Sequence, residues 1–145
     1  FLPYGVAVDE FQHGIYERPE MTPLERKRWW REVEKKYLPF KDYEDNAFFE
    51  RGGFWFRQGH IFSVPFYYID YTLAQVVAFQ YWVKHQETPQ AALESYVGLC
   101  GLGGSKSFTG LLASQGLDNP FDPGTVKRIA EPISAYLNGI DDTKL

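Results

Sequence analysis

Among its 145 residues the chain has one cysteine, Cys100, and one methionine. A lone cysteine rules out an intrachain disulfide framework and fits a reducing cytoplasm, the compartment this reading expects. No run of Lys and Arg extends beyond Arg26-Lys27-Arg28, and that triplet sits among acids. With a formal net charge of −4 the chain lacks the basic face that nucleic acid demands, so nucleic acid is excluded as a partner. The longest apolar tract, Tyr71–Val83, is broken by Thr72, Gln75 and Gln80 and is too short to span a bilayer. The start has neither the basic region nor the cleavage pattern of a secretory leader. Internal repeats and low-complexity segments are missing. So are an HExxH zinc signature, a GxxxxGK[ST] phosphate loop and any nucleophile elbow.

What the chain does have is rings. Aromatic residues make up 18% of it, enough to hold together a small irregular body or to line a cleft. The length fits one domain, residues 1–145. Its opening, FLPYGVAV, has no initiator Met and no polar lead-in; it reads as the interior of a longer protein, truncated at its N-terminus.

Helix signals recur at nearly every junction. Val6, Phe11 and Ile15 mark a buried stripe on a first helix that ends at Arg18-Pro19. Thr22-Pro23-Leu24-Glu25 combines an N-cap, a proline in the first turn and a capping box. The helix it starts runs to Leu38 with Trp29, Val33 and Tyr37 on its packed face, and with Glu32 paired to Lys35 and Lys36. An irregular stretch with one helical turn near Phe48 follows, broken at Gly52-Gly53; Phe54–Phe62 reads as a short helix. The longest helix is expected from Pro65 or Phe66 to about His85. Thr88-Pro89 starts the next, to Cys100, with Gly101 as its stop. Another runs from Ser105 or Lys106 to Gly116, and a last one, capped by Asp122, from Pro123 to about Asn138 with Pro132 inside it. The tail IDDTKL is expected to fray. The fold class is therefore all-α, an irregular multi-helix body.

Three patterns resemble sites and are better explained structurally. Asp9-Glu10-Phe11-Gln12-His13, followed by Glu17, differs from HExxH by Asp in the first position. Asp9, His13 and Glu17 share a helix face and could hold a divalent ion, but this donor set is uncommon for zinc, and a simple carboxylate–histidine ladder accounts for it. His85-Gln86-Glu87 has no partner at ligand spacing and sits at a helix end that favours a histidine. Gly101–Ser107, GLGGSKS, has the wrong spacing and follows a helix rather than a strand, so it reads as a hinge and N-cap. Cys100, at a helix end, reads as inert. No metal site is expected within the chain.

The chemistry concentrates instead in Arg57–Tyr71, RQGHIFSVPFYYIDY. His60 lies in a turn-like passage, a mobile loop, and Tyr67, Tyr68 and Tyr71 are expected to open the long helix on one face. An imidazole beside phenols is a set of neutral hydrogen-bond donors, the kind that stabilises a developing oxyanion. Filling of the core by these rings is the alternative.

VDEFQHGIYERPEMTPLERKRWWREVEKKYLP, FFERGGFWFRQGHIFSVPFYYIDYTLAQVVAF, GGSKSF and the closing DDTKL resemble the C-terminal part of bacterial oligoendopeptidase F, one of the thimet-type zinc metallopeptidases. The resemblance covers essentially the whole chain. It implies a mostly helical body split by a channel that admits short peptides, of which this chain is the C-terminal portion. It implies a zinc ion held by two His of an HExxH helix and a Glu from a later helix, with ligands upstream of Phe1 and none here. It implies that zinc-bound water would attack the scissile carbonyl there, with the motif Glu as base. It also implies that His60, Tyr68 and Tyr71 are catalytic, with Tyr67 as the alternate to Tyr68: a tyrosine donates to the oxyanion and His60 to the substrate backbone. The expected partners are short peptide substrates, the remainder of the peptidase domain and, through Phe1–Val8 and the YYIDY face, another copy. The isolated fragment is expected to be inactive. The competing reading is a non-catalytic helical module that binds peptides or partners.

Overall fold

In a computed structural model the described residues, which are 1–141 and Thr143, form helices joined by turns and loops, and no strand occurs among them. The helices are α1 (Leu2–Glu17), α2 (Pro23–Tyr37), α3 (Ala47–Glu50), a 3-10 turn at Gly53–Arg57, α4 (His60–Ser63), α5 (Ile69–Glu87), α6 (Pro89–Leu102), α7 (Phe108–Ser114) and α8 (Thr125–Asn138). The all-α expectation holds. The end of the tail expected to fray, and of the closing DDTKL, falls on Asp142, Lys144 and Leu145, which lie outside the described residues. The backbone packs as two compact units, 1–72 and 73–145.

In the first unit α1 and α2 pack against each other around Trp30. Val8, Phe11, Trp30, Trp55 and Ile61 form the buried cluster, with Tyr4, Ile15, Trp29, Phe54 and Tyr68 against it. Phe11 meets Trp30 edge-on at 5.3 Å and Trp55 at 5.0 Å, an arrangement that suits the ring quadrupoles. The stripe on α1 is shifted from the expected one: Phe11 is buried, while Val6 and Ile15 are only half-buried. The residues that replace them include Gly5, Ala7, Gln12 and Gly14. Small side chains on this face let α2 come close: a Cβ on Gly14 would fall 2.1 Å from Trp29 Nε1, and that indole donates to Phe11 O at 3.3 Å. Of the Phe1–Val8 stretch, Gly5, Ala7 and Val8 are buried inside this unit, and Phe1 remains exposed.

The start of α2 is as read: the Thr22 hydroxyl accepts from the Glu25 amide and Glu25 reaches back to the Thr22 amide, closing the capping box. Its packed face is rotated from the expected one. Trp30, Val33 and Glu34 are buried, with Trp29 and Tyr37 at the margin. Lys36 pairs at 2.7 Å with Glu10 of α1 rather than with Glu32. Burial pushes the Glu10 carboxyl up, but hydrogen bonds from Lys36 and Tyr37 outweigh it and hold the group below its ordinary value. Glu34 is a buried carboxylate with three partners: the Tyr43 hydroxyl donates to it, Arg31 donates at 3.0 Å and Lys41 Nζ lies 3.5 Å away. Arg31 continues to Glu50 at 2.9 Å, which ties α2 to α3 and the loop between them.

In the second unit, Gln80 of α5 exchanges two hydrogen bonds with the backbone of Asp118, and Arg128 of α8 pairs with the Asp118 carboxylate at 2.7 Å. The Tyr81 hydroxyl donates to Ser95 O at 3.3 Å, joining α5 to α6. Three boundaries differ from the sequence reading. α6 runs two residues past Cys100 to a Gly103 cap at φ 51; α7 starts at Phe108, where Ser107 accepts from the Gly110 amide; and Gly124, not Asp122, precedes α8. Leu93, Tyr96, Val97 and Cys100 of α6 are exposed.

Removing the Glu34 carboxylate would take this partner from Lys41 and the Tyr43 hydroxyl and leave Arg31 with Glu50 alone. Glu34→Ala is expected to cost about 3–5 kcal/mol, and Glu32→Ala, at an exposed position of the same helix, to stay within about 0.5 kcal/mol. Urea unfolding midpoints of the two variants check this.

Candidate functional site

The Gly53–Thr72 segment turns sharply several times, and each turn has a local cause. Gly53–Arg57 winds as a 3-10 helix closed by the Gln58 amide on Trp55 O. His60 begins the single helical turn α4, so it sits on a short helix rather than in a mobile loop. The chain then passes Pro65 and takes a positive φ of 62° at Phe66, a left-handed conformation that side chains with a Cβ seldom adopt. That turn delays α5. The helix begins at Ile69, not at Pro65 or Phe66, so Tyr67 and Tyr68 precede it and only Tyr71 lies in its first turn.

A side chain from α1 holds this turn. Gln12, 1% exposed, accepts the Phe66 amide on Oε1 at 2.9 Å. The Phe66 ring rests between His13 at 5.0 Å and Tyr16 at 4.9 Å. The DEFQH motif thus has a structural use that the sequence reading missed: its Gln12 and His13 brace the turn. Asp9 pairs with His13 at 3.4 Å. Burial raises the Asp9 carboxyl above its ordinary value, and His13 partly offsets this. Among the described residues no three His, Cys, Asp or Glu side chains gather as metal ligands do, so a zinc ion fits no set of residues here.

The turn brings four rings together. His60 lies 5.2 Å from Tyr68, 5.7 Å from Tyr71 and 6.3 Å from Tyr67, centroid to centroid. Tyr71 stands 5.3 Å from Tyr67 and 5.6 Å from Tyr68. Tyr67 and Tyr71 are 46% and 41% exposed; His60 and Tyr68 are half-buried. Within this chain the cluster is therefore exposed on one side. Burial raises the Tyr68 phenol above its ordinary value, and the Tyr67 side chain, with some help from burial and from Tyr68 and Asp70, raises that of Tyr71. Both hydroxyls keep their protons at neutral pH and remain donors.

Two further residues support His60 and were not singled out from sequence. Gln58 Nε2 stands 2.6 Å from His60 Nδ1, and the Tyr4 hydroxyl, 54 positions earlier, donates to Gln58 Oε1 at 3.1 Å. Gln58 was visible as the neighbour of Gly59-His60, whereas Tyr4 carried no local signal.

Comparison with known proteins bears on the chain as a whole. No protein-family model matches the chain. No curated protein matches it either. Solved structures do. One, an oligoendopeptidase F from crystals grown by microfluidic seeding, is 58% identical with a TM-score of 0.95 over 100% of this chain and 26% of its own. The chain belongs to the oligoendopeptidase F family. It corresponds to a C-terminal portion of that fold. Pz peptidase A with an inhibitor is 54% identical with a TM-score of 0.93 over 98% of this chain and 25% of its own. An oligoendopeptidase F from Bacillus anthracis strain Ames is 49% identical with a TM-score of 0.77 over 100% and 22%. The chain thus spans about a quarter of the length of the oligoendopeptidase F structures it matches. None of the helices among the described residues is long and apolar enough to cross a membrane.

The start of α5 is pressed against α1 at Gly5, where an added Cβ would fall 1.9 Å from Thr72 Oγ1. Gly5→Ala must push Thr72, and Tyr71 beside it, away from α1. It is expected to cost about 1–3 kcal/mol and to shift the Tyr71 ring resonances. Gly59→Ala, with nothing within 4 Å and an ordinary φ of −55°, is expected to be neutral or slightly stabilising. Unfolding midpoints and ring proton spectra of the pair test whether α1 positions the site.

Proposed function

We propose that the complete protein hydrolyses peptide bonds in short oligopeptides and that this chain supplies the hydrogen-bond donors of its site. The observation that carries the reading is the cluster in which the rings of Tyr67, Tyr68 and Tyr71 each meet that of His60, a set of hydrogen-bond donors exposed on one side, in a chain of the oligoendopeptidase F family.

When water adds to a peptide carbonyl, the oxygen gains negative charge. A donor already oriented toward it stabilises that charge without reorganising in the transition state. Tyr71 is suited to this: it is on a regular helix, braced by Tyr67 and Tyr68, protonated and accessible. Tyr68 is the second candidate, with Tyr67 as its alternate; Tyr67 is the more exposed of the two. His60, half-buried among the phenols, is suited to donate to a substrate carbonyl and hold the peptide. Zinc enters this proposal as the metal of the complete protein. The residues present here do not fit it, so none of these roles passes through it, and the isolated chain is expected to be inactive. A cytoplasmic location also belongs to the proposal.

In the complete protein Tyr71→Phe keeps the ring packing and removes one hydroxyl. It is expected to lower kcat about 10²–10³-fold with KM nearly unchanged, because a donor used only in the transition state is lost. Steady-state cleavage of a fluorogenic short peptide measures this; an unchanged kcat removes Tyr71 from the chemistry.

A further inference from the structure

Tyr4, Gln58 and His60 form a line of hydrogen bonds that ends on the imidazole. The Tyr4 hydroxyl donates to Gln58 Oε1 at 3.1 Å, and Gln58 Nε2 lies 2.6 Å from His60 Nδ1. A carboxamide has an accepting end and a donating end, and a neutral imidazole has one nitrogen of each kind. The way the first contact is made therefore fixes the second. With Gln58 Oε1 accepting from Tyr4, its Nε2–H faces His60, and His60 Nδ1 must present a lone pair. Turning the amide over would require a proton on Nδ1 and would leave the Tyr4 hydroxyl proton without the acceptor it has here.

Tyr4 is well placed to prevent that. Its ring lies edge-on to Trp30, Phe54 and Tyr68 at 6.1, 6.4 and 5.9 Å, so its hydroxyl has a set direction. Burial, with a smaller contribution from Tyr68 and Glu34, pushes the phenol up to about 12 against the opposing effect of Arg57. It stays protonated, and a donor, across the neutral range.

We infer that Gln58, oriented by Tyr4, is a positioning residue that fixes His60 in the tautomer with a lone pair on Nδ1 and its proton on Nε2. This leaves Nε2–H as the donor of the ring that stands among Tyr67, Tyr68 and Tyr71. The functional meaning rests on the reading of His60 as a neutral donor to substrate. The tautomer itself does not, because it follows from the hydrogen bonds alone.

The test is a nitrogen–proton correlation spectrum of the imidazoles in the full chain labelled with 15N-histidine, at a pH where they are neutral. His60 is assigned by its loss in His60→Gln. The expected result is a single His60 tautomer with the proton on Nε2. A proton on Nδ1, or a mixture of both forms, would overturn the inference. In Gln58→Glu the new carboxylate can only accept, so the proton of the neutral His60 ring is expected to move to Nδ1; a neutral ring that still carries its proton on Nε2, with Nδ1 bare, contradicts the role given to Gln58. In Tyr4→Phe the amide is free to turn, and both tautomers are expected; a tautomer still wholly on Nε2 contradicts the role given to Tyr4. Unchanged signals from His13 and His85 report that each variant is folded. In the complete protein Gln58→Glu is expected to lower kcat about a hundredfold through loss of the Nε2–H donor. A moved proton with unchanged turnover keeps the tautomer assignment and rejects the peptidase role of His60, so the two readings fail separately.

Discussion

The constraint on which the first unit depends is the fit of one face of α1 against the segment from Gly53 to Thr72. Tyr4, Gly5, Val8, Phe11 and Gln12 recur along that face at helical spacing. Each holds a different part of the segment or of α2. Val8 and Phe11 are buried with Trp30, Trp55 and Ile61, and each such side chain contributes about 1.5–3 kcal/mol on leaving water. Gly5 admits Thr72. Tyr4 reaches Gln58, and Gln12 reaches the Phe66 amide. A typical hydrogen bond contributes only about 1 kcal/mol net. Apolar burial therefore holds the helix in place, and the hydrogen bonds decide the shape of the segment lying on it.

That shape brings the site together. Residues 60, 67, 68 and 71 do not share one helix. They meet because α4 is a single turn, because Phe66 reverses the chain at positive φ, and because α5 starts only at Ile69. A left-handed phenylalanine is an unfavourable local choice. It persists here with its amide bonded to Gln12 and its ring against His13 and Tyr16. The strain lies one residue before the first of the phenols, where it sets the direction in which they leave the turn.

Much of the scaffold was legible because its signals are local. The capping box at Thr22–Glu25, the proline-started helix at Pro89 and the helical turn near Phe48 each depend on a few adjacent residues, and each is present. The cluster of His60 with the tyrosines was legible as composition, though not as geometry. The extended first helical turn expected for Tyr67 and Tyr68 fails at Phe66, whose backbone state is imposed from α1 rather than by its neighbours in sequence. The choice of Trp30 over Trp29 as the buried ring also depends on how α1 approaches, through Gly14. Tyr4 and Gln12 lie 54 positions from the groups they hold, and periodicity within a helix cannot name partners at that distance. The near-HExxH pattern drew attention to the right helix for a reason that turned out to be mechanical support.

Amide hydrogen exchange at Phe66 tests most directly whether α1 shapes this segment. Phe66 precedes α5, so the Gln12 side chain is the partner of its N–H. In the wild-type chain this amide is predicted to be protected. In Gln12→Ala its protection is predicted to fall to that of a free loop amide, while the amides in the middle of α2 keep theirs. A Phe66 amide that exchanges equally slowly with and without the Gln12 side chain would contradict the account.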